Sequence, residues 1–200
     1  MNNFKTLSLI LLAALPCLSA RGQDYYKGQT SLKAVDNEYE IHYYNDADTS
    51  RFRNSTSIYI SNKGIPDTRK TLPYLTDTWE VLYESLTFDY DAEELENIIK
   101  EVFTPEEIQK YYESRNYIVF SIIINPETGR PAEIGFSLKM QSDDQVLCSI
   151  PITKIEQLEN LMKQRFTFFI PKEYRTATYL WQRIYMFMRR PESQASAGHR

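Results

Sequence analysis

Between Tyr117 and Met188 the apolar residues change their spacing from two, to three and four, and back to two. That change of period restricts the segment to strand, strand, helix and strand, in that order. From Tyr117 to Asn125 the chain is dense in Ile, Val and Phe and free of Gly and Pro, which is strand composition. Asn125-Pro126-Glu127-Thr128-Gly129-Arg130-Pro131 then combines a fixed φ, a residue that accepts positive φ, and polar side chains, so the chain must turn. Ile134, Phe136, Leu138 and Met140 recur at every second position, with Glu133, Ser137 and Lys139 on the opposite face. The expectation is a hairpin with one wet face.

Past the polar turn Gln141 to Gln145, the residues Ile155, Leu158, Leu161, Met162 and Phe166 form one helical stripe. Glu156, Glu159, Lys163 and Gln164 lie off that stripe, Glu159 and Lys163 stand in favourable order for an ion pair, and Ser149 or Thr153 is available as a cap. Pro171 closes the unit. The last strand, Ala177 to Met188, places Tyr179, Trp181, Arg183, Tyr185 and Phe187 on one face and Leu180, Gln182, Ile184, Met186 and Met188 on the other. Apolar side chains on both faces predict a strand covered on more than one side. Phe136, Leu138, Leu158, Leu161, Phe166 and Trp181 are the expected core.

In this layout, and in the phrase FIPKEYRTATYLWQRIYMF leading into the last strand, Tyr117 to Met188 resembles the C-terminal domain of TonB and its secreted relatives. The resemblance implies a small sheet with a helix across one face, and a peptide strand taken at a sheet edge. TonB itself has a transmembrane anchor and a long Pro-rich spacer, neither evident here, so what carries over is a fold and not energy transduction. The whole chain resembles small exported proteins of Bacteroidetes of the domain-of-unknown-function type, which implies a compartment and no activity.

The first residues agree with export. Lys5 provides a charged start, Leu7 to Leu15 is an apolar run too short to span a bilayer, and Ser19, Ala20 and Gly22 are small. Residues 1–22 are therefore expected to be a signal peptide, with Gln23 first in the mature chain and cleavage after Ala20 as the alternative. Cys17 permits a lipoprotein reading, although Leu15 and Pro16 stand where small residues are expected. With Cys17 removed, Cys148 is alone and no intramolecular disulfide forms. Flanked by Val146, Leu147 and Ile150, Cys148 reads as a small buried hydrophobe. Residues 23–188 suit a single domain in a periplasmic or secreted protein with no mature transmembrane segment. The Ser- and Ala-rich tail 189–200 is expected to be disordered.

Before the core, Tyr39 to Tyr44 and Ser57 to Ser61 read as a strand pair joined by the loop Asn45 to Ser50. The loop carries Asp46 and Asp48 without the Gly and terminal Glu of a calcium loop. A stripe of Leu72, Leu75, Trp79, Leu82 and Leu86 reads as a helix or a broken pair of turns packed on the sheet, and Leu95, Ile98, Ile99 and Phe103 as an amphipathic helix. Asp89, Asp91, Glu93 and Glu94 gather at the start of the latter, where carboxylates cap N–H groups and oppose the helix dipole, and without histidine they make a poor metal site. Thr104-Pro105-Glu106-Glu107 opens a third helix with a capping box. The fold class is thus α+β: an antiparallel sheet with a helix packed on one face, a β-β-α-β core preceded by two or three helices and an N-terminal strand pair.

Catalytic parts are scarce. His42 and His199 are the histidines, the latter in the tail, so a Ser-His-Asp or Cys-His machine would depend on His42 within an aromatic strand. No Gly-rich phosphate loop, nucleophile elbow or zinc-spaced ligand pair is present. No catalytic, cofactor-binding or metal residue is nominated, and no cofactor. A net charge of −4 opposes nucleic-acid binding. Three functions compete: recognition of an envelope protein or peptide at a sheet edge, binding of carbohydrate or lipid by the abundant Tyr and Trp, and a carboxylate-based hydrolase.

Overall fold

The computed structural model of the chain describes residues 24–45, 55–64, 87–114, 116–141, 146–177 and 179–187. Strands β1 (Ser31–Lys33), β2 (Glu38–Asn45), β3 (Ser55–Asn62), β4 (Tyr117–Ile124), β5 (Pro131–Gln141) and β6 (Leu180–Phe187) form one six-stranded sheet. Its order is β1-β2-β3-β5-β4-β6, and every neighbouring pair is antiparallel. With helices α1 (Ala92–Val102), α2 (Pro105–Ser114) and α3 (Ile152–Arg165), the protein is α+β. The strand-strand-helix-strand order of the core is present as β4-β5-α3-β6.

Strand parity divides the sheet into two faces. Ile41, Ile58, Phe136, Phe120 and Ile184 point into one apolar cluster together with Ile98 of α1, Tyr111 of α2 and Leu158 of α3. Phe120 and Phe136, cross-strand partners, meet edge to face at 5.6 Å. On the opposite parity Tyr44 and Tyr185 are exposed, whereas Ser57, Val119 and Ile123 toward the middle of the sheet are buried.

The local signals hold at the turns and caps. The Asn125 side chain accepts the N–H groups of Glu127 and Thr128, and Gly129 takes φ +68°. A Cβ at Gly129 would stand 2.3 Å from the Phe168 carbonyl, so glycine also lets the turn dock on the strap that follows α3. Asp91 caps α1 by accepting the Glu94 N–H at 2.9 Å, and Thr104 and Glu107 exchange both capping-box bonds at the start of α2.

Several expectations are corrected. The N-terminal strand pair is present as β2–β3, and β3 also pairs with β5, which carries β2 and the short, unanticipated β1 into the same sheet as the core. Helix α3 has no side-chain cap, since Pro151 occupies that position and Ser149 Oγ donates to the Val146 carbonyl instead. Strand β6 pairs only with β4 among the described strands and is buried through Leu180, Gln182, Ile184 and Met186 alone. Trp181 therefore lies on the open face, where the Arg183 guanidinium sits 4.8 Å above its ring. Phe136, Leu138, Leu158 and Phe166 are fully buried as expected, while Leu161 is only partly so.

The largest departure is on α3. Glu156 and Glu159, expected to face solvent, are 3% and 1% exposed. Glu156 receives the N–H groups of Val35, Asp36 and Asn37 and the Asn37 amide, binding the β1–β2 connection to the helix. Glu159 receives the Tyr39 hydroxyl and Lys163 Nζ, each at 2.6 Å, and the Asn62 amide at 3.3 Å. The helix keeps a solvent-facing stripe at Thr153, Gln157, Asn160 and Gln164, but its buried face is wider than the one apolar stripe expected.

The expected signal peptide 1–22, the loop carrying Asp46 and Asp48, the stripe from Leu72 to Leu86, the turn 142–145 and the tail 189–200 lie outside the described residues.

Candidate functional site

The open face of the sheet carries the site. Pairing across β2, β3, β5 and β4 sets side chains of one parity in transverse rows, because neighbours in register lie about 5 Å apart. One row runs Tyr44, Ser57, Lys139, Tyr117. The next runs His42, Tyr59, Ser137, Val119 and, on β6, Tyr185. The third runs Glu40, Ser61, Gly135, Ser121 and Arg183. Serines and a glycine thus occupy much of the middle, and tyrosines and charges the flanks. The result is a trough of about 690 Å³, within the range of roughly 300–1,000 Å³ usual for small-molecule sites.

Gly135 shapes the floor. A Cβ there would come within 2.4 Å of the Tyr59 hydroxyl, so the Tyr59 ring lies down over the glycine on the neighbouring strand. Tyr117 and Tyr185 stand across from one another with ring centroids 6.3 Å apart, tilted by 41°. His42 sits on the β2 flank, half exposed, with Nε2 3.4 Å from Glu40. It is thus a surface histidine with a carboxylate neighbour, not a packed one.

Lys139 stands on the central strand β5, half buried between Ser57 and Tyr117. Among the described residues it has no carboxylate partner, whereas Lys63, Lys100, Lys154 and Lys163 pair with Glu38, Glu96, Glu107 and Glu159.

Other candidates fall elsewhere. Cys148 is 1% exposed, with its thiol 3.7 Å from the Tyr43 hydroxyl and 3.4 Å from Met140 Sδ. Burial pushes its pKa up to about 12, so it stays a protonated thiol at neutral pH. Asp91 is committed to the α1 cap and Glu94 to Arg165 Nε at 2.6 Å. Among the described residues no group of three His, Cys, Asp or Glu side chains is placed to hold a metal ion. Glu156 and Glu159, the closely spaced buried carboxylates, spend their oxygens on protein donors and do not line the trough. Among the described residues Glu40 is the one carboxylate that does.

A second hollow, about 450 Å³, lies where the turn Pro126 to Gly129 faces Thr167 to Pro171. No helix among the described residues is long and apolar enough to cross a membrane.

The trough was only half legible in the sequence. The alternation along β5 marked Ser137 and Lys139 as wet, but only the pairing of β3 with β5 brings Tyr44, His42 and Tyr59 beside them. No family model matches the chain, and no curated protein does. Among solved structures, the chain is similar to the crystal structure of a DUF5043 family protein from Bacteroides uniformis ATCC 8492, at 17% identity and TM-score 0.57, over 83% of this chain and 95% of that one. The likeness is one of fold, and it agrees with the resemblance to Bacteroidetes proteins of the domain-of-unknown-function type.

Proposed function

We propose that the chain is an exported binding domain that takes an oligosaccharide on the open face of its sheet. The observation that carries this reading is the trough itself: flat tyrosine rings flank a floor of serine hydroxyls, a combination that stacks on sugar faces and exchanges hydrogen bonds with sugar hydroxyls. A lipid fits it poorly, because the apolar side chains are consumed in the filled core on the other face. Two-carboxylate hydrolysis fits it poorly as well, since among the described residues Glu40 has no second carboxylate across the trough. Export rests on the signal-peptide pattern of residues 1–22.

The test is a panel of neutral and acidic oligosaccharides titrated calorimetrically into the mature chain. Binding that weakens tenfold or more in Tyr117→Ala and Tyr185→Ala, with unchanged melting temperature, is the expected result. A panel with no binder, or binders indifferent to both substitutions, sinks the reading. One observation favours a second: β6 pairs on one side only among the described strands, so its outer edge is open to an added peptide strand from an envelope protein. Proline at a β6 residue whose N–H points away from β4 would block such addition and leave sugar binding intact. Retention of the same partners by wild type and this variant removes the edge reading.

A further inference from the structure

We propose that the ligand is an acidic oligosaccharide, a chain of sugars bearing carboxylates, and that Lys139 meets one of those carboxylates; this rests on the reading of the open face as a sugar site. The position of Lys139 carries the argument. A lysine in the middle of a six-stranded sheet, half buried, lines the trough in the row of Tyr44, Ser57 and Tyr117 and on the same strand face as Ser137. Its long stem can lie along the tyrosine rings and leave the charged end facing the trough.

Lys63, Lys100, Lys154 and Lys163 pair with glutamates, and Lys27, Lys33, Lys110 and Lys172, which form no ion pair among the described residues, are exposed to water, whereas Lys139 is half buried. Lys139 has no such carboxylate among the described residues, and the nearest one lining the trough, Glu40, lies on β2 in the third row and pairs with His42 at 3.4 Å. A half-buried cation with no counter-ion among the described residues favours an anion from outside.

The same face selects the anion. Glu40 on one flank and a net charge of −4 disfavour phosphate monoesters, at about −1.5 to −2 each, more than carboxylates at a single charge each. A carboxylate on a sugar ring places one charge beside a neutral, hydroxyl-rich face that suits the serines and tyrosines. Arg183, at the diagonal end of the trough, stacks on Trp181 and extends the positive side toward a second sugar unit. An acidic peptide would match the charge, but the serine hydroxyls and tyrosine rings that line the trough suit the hydroxyls and flat faces of sugars better than a peptide backbone.

The experiment uses oligogalacturonates and oligomannuronates, their methyl esters, and the mature chain as wild type and Lys139→Gln. Esterification removes the charge and keeps the sugar. The expected result is that one acidic series binds, that its ester binds at least tenfold more weakly, and that Lys139→Gln weakens the acid tenfold and leaves the ester unchanged. Lys139→Gln must melt at the wild-type temperature, and Lys139→Arg must retain binding of the acid. Equal binding of acid and ester, or an acid affinity indifferent to Lys139→Gln, overturns the anchor and leaves the sugar site standing. Failure of both series, charged and esterified, overturns the acidic-sugar proposal, and binding of the neutral panel then decides whether the sugar site stands.

Discussion

Replacing Glu159 by Ala tests the fold where it departs most from a simple amphipathic helix. On a surface, loss of an i,i+4 partner for Lys163 would cost a few tenths of a kcal/mol. Here the Glu159 side chain is 1% exposed and accepts from Tyr39, Lys163 and Asn62. Lys163 is 26% exposed and can turn its ammonium to water, but the Tyr39 hydroxyl is buried and would lose its partner, a penalty of about 1–3 kcal/mol. Adding the lost charge-assisted bonds and allowing for the removed carboxylate's own desolvation gives a net destabilisation of about 2–4 kcal/mol. Urea denaturation of wild type, Glu159→Ala, Tyr39→Phe and the double variant measures it. The double variant should lose about 1–2 kcal/mol less than the sum of the singles, because each single strands the other's group. A loss below about 0.5 kcal/mol for Glu159→Ala, or strict additivity, would refute the buried network.

Leu158→Ala, at a fully buried position of α3, should cost about 2–5 kcal/mol by urea denaturation, whereas Trp181→Ala on the open face should cost much less; equal losses would contradict the face assignment of β6. Burial works to raise the pKa of Glu156, but the N–H groups of Val35, Asn37 and Asp36 and the Asn37 amide prevail and hold it below its ordinary 4.5. Its contribution is therefore present above the unfolded-state value and fades as pH falls through the lower folded-state value, so Glu156→Gln should flatten the acid limb of stability against pH, and an unchanged limb would contradict the bonding at β1–β2. Cys148 should resist a thiol-reactive disulfide reagent at pH 8 in the native protein and react at once in urea, and rapid native labelling would contradict its burial.

What could be read in the sequence was what neighbours in the chain decide. The β4–β5 hairpin follows from alternation on either side of a turn whose Asn125 and Gly129 do the work locally. The caps at Asp91 and Thr104 likewise depend on residues within one helical turn. Glu156 and Glu159 were misplaced because helical periodicity assigns carboxylates to water. Their donors arrive from Val35, Tyr39 and Asn62, about a hundred residues away, which no local pattern announces. Trp181 was misplaced for a related reason: β6 is apolar on both parities, and only its register with β4 decides which parity is buried. The candidate site shares this dependence. Its central residues Ser137 and Lys139 were legible as wet, but its walls come from β2 and β3, whose place in the sheet is a long-range fact.

The account stands or falls on where a ligand sits. Amide chemical-shift mapping of the mature chain titrated with the tightest-binding acidic oligosaccharide tests this most directly. The account predicts that the shifts gather on Tyr44, Ser57, Tyr59, Tyr117, Ser137 and Lys139, the open-face positions of neighbouring strands. Shifts confined to β6, or to the hollow between the turn at Gly129 and the strap Thr167 to Pro171, would contradict it.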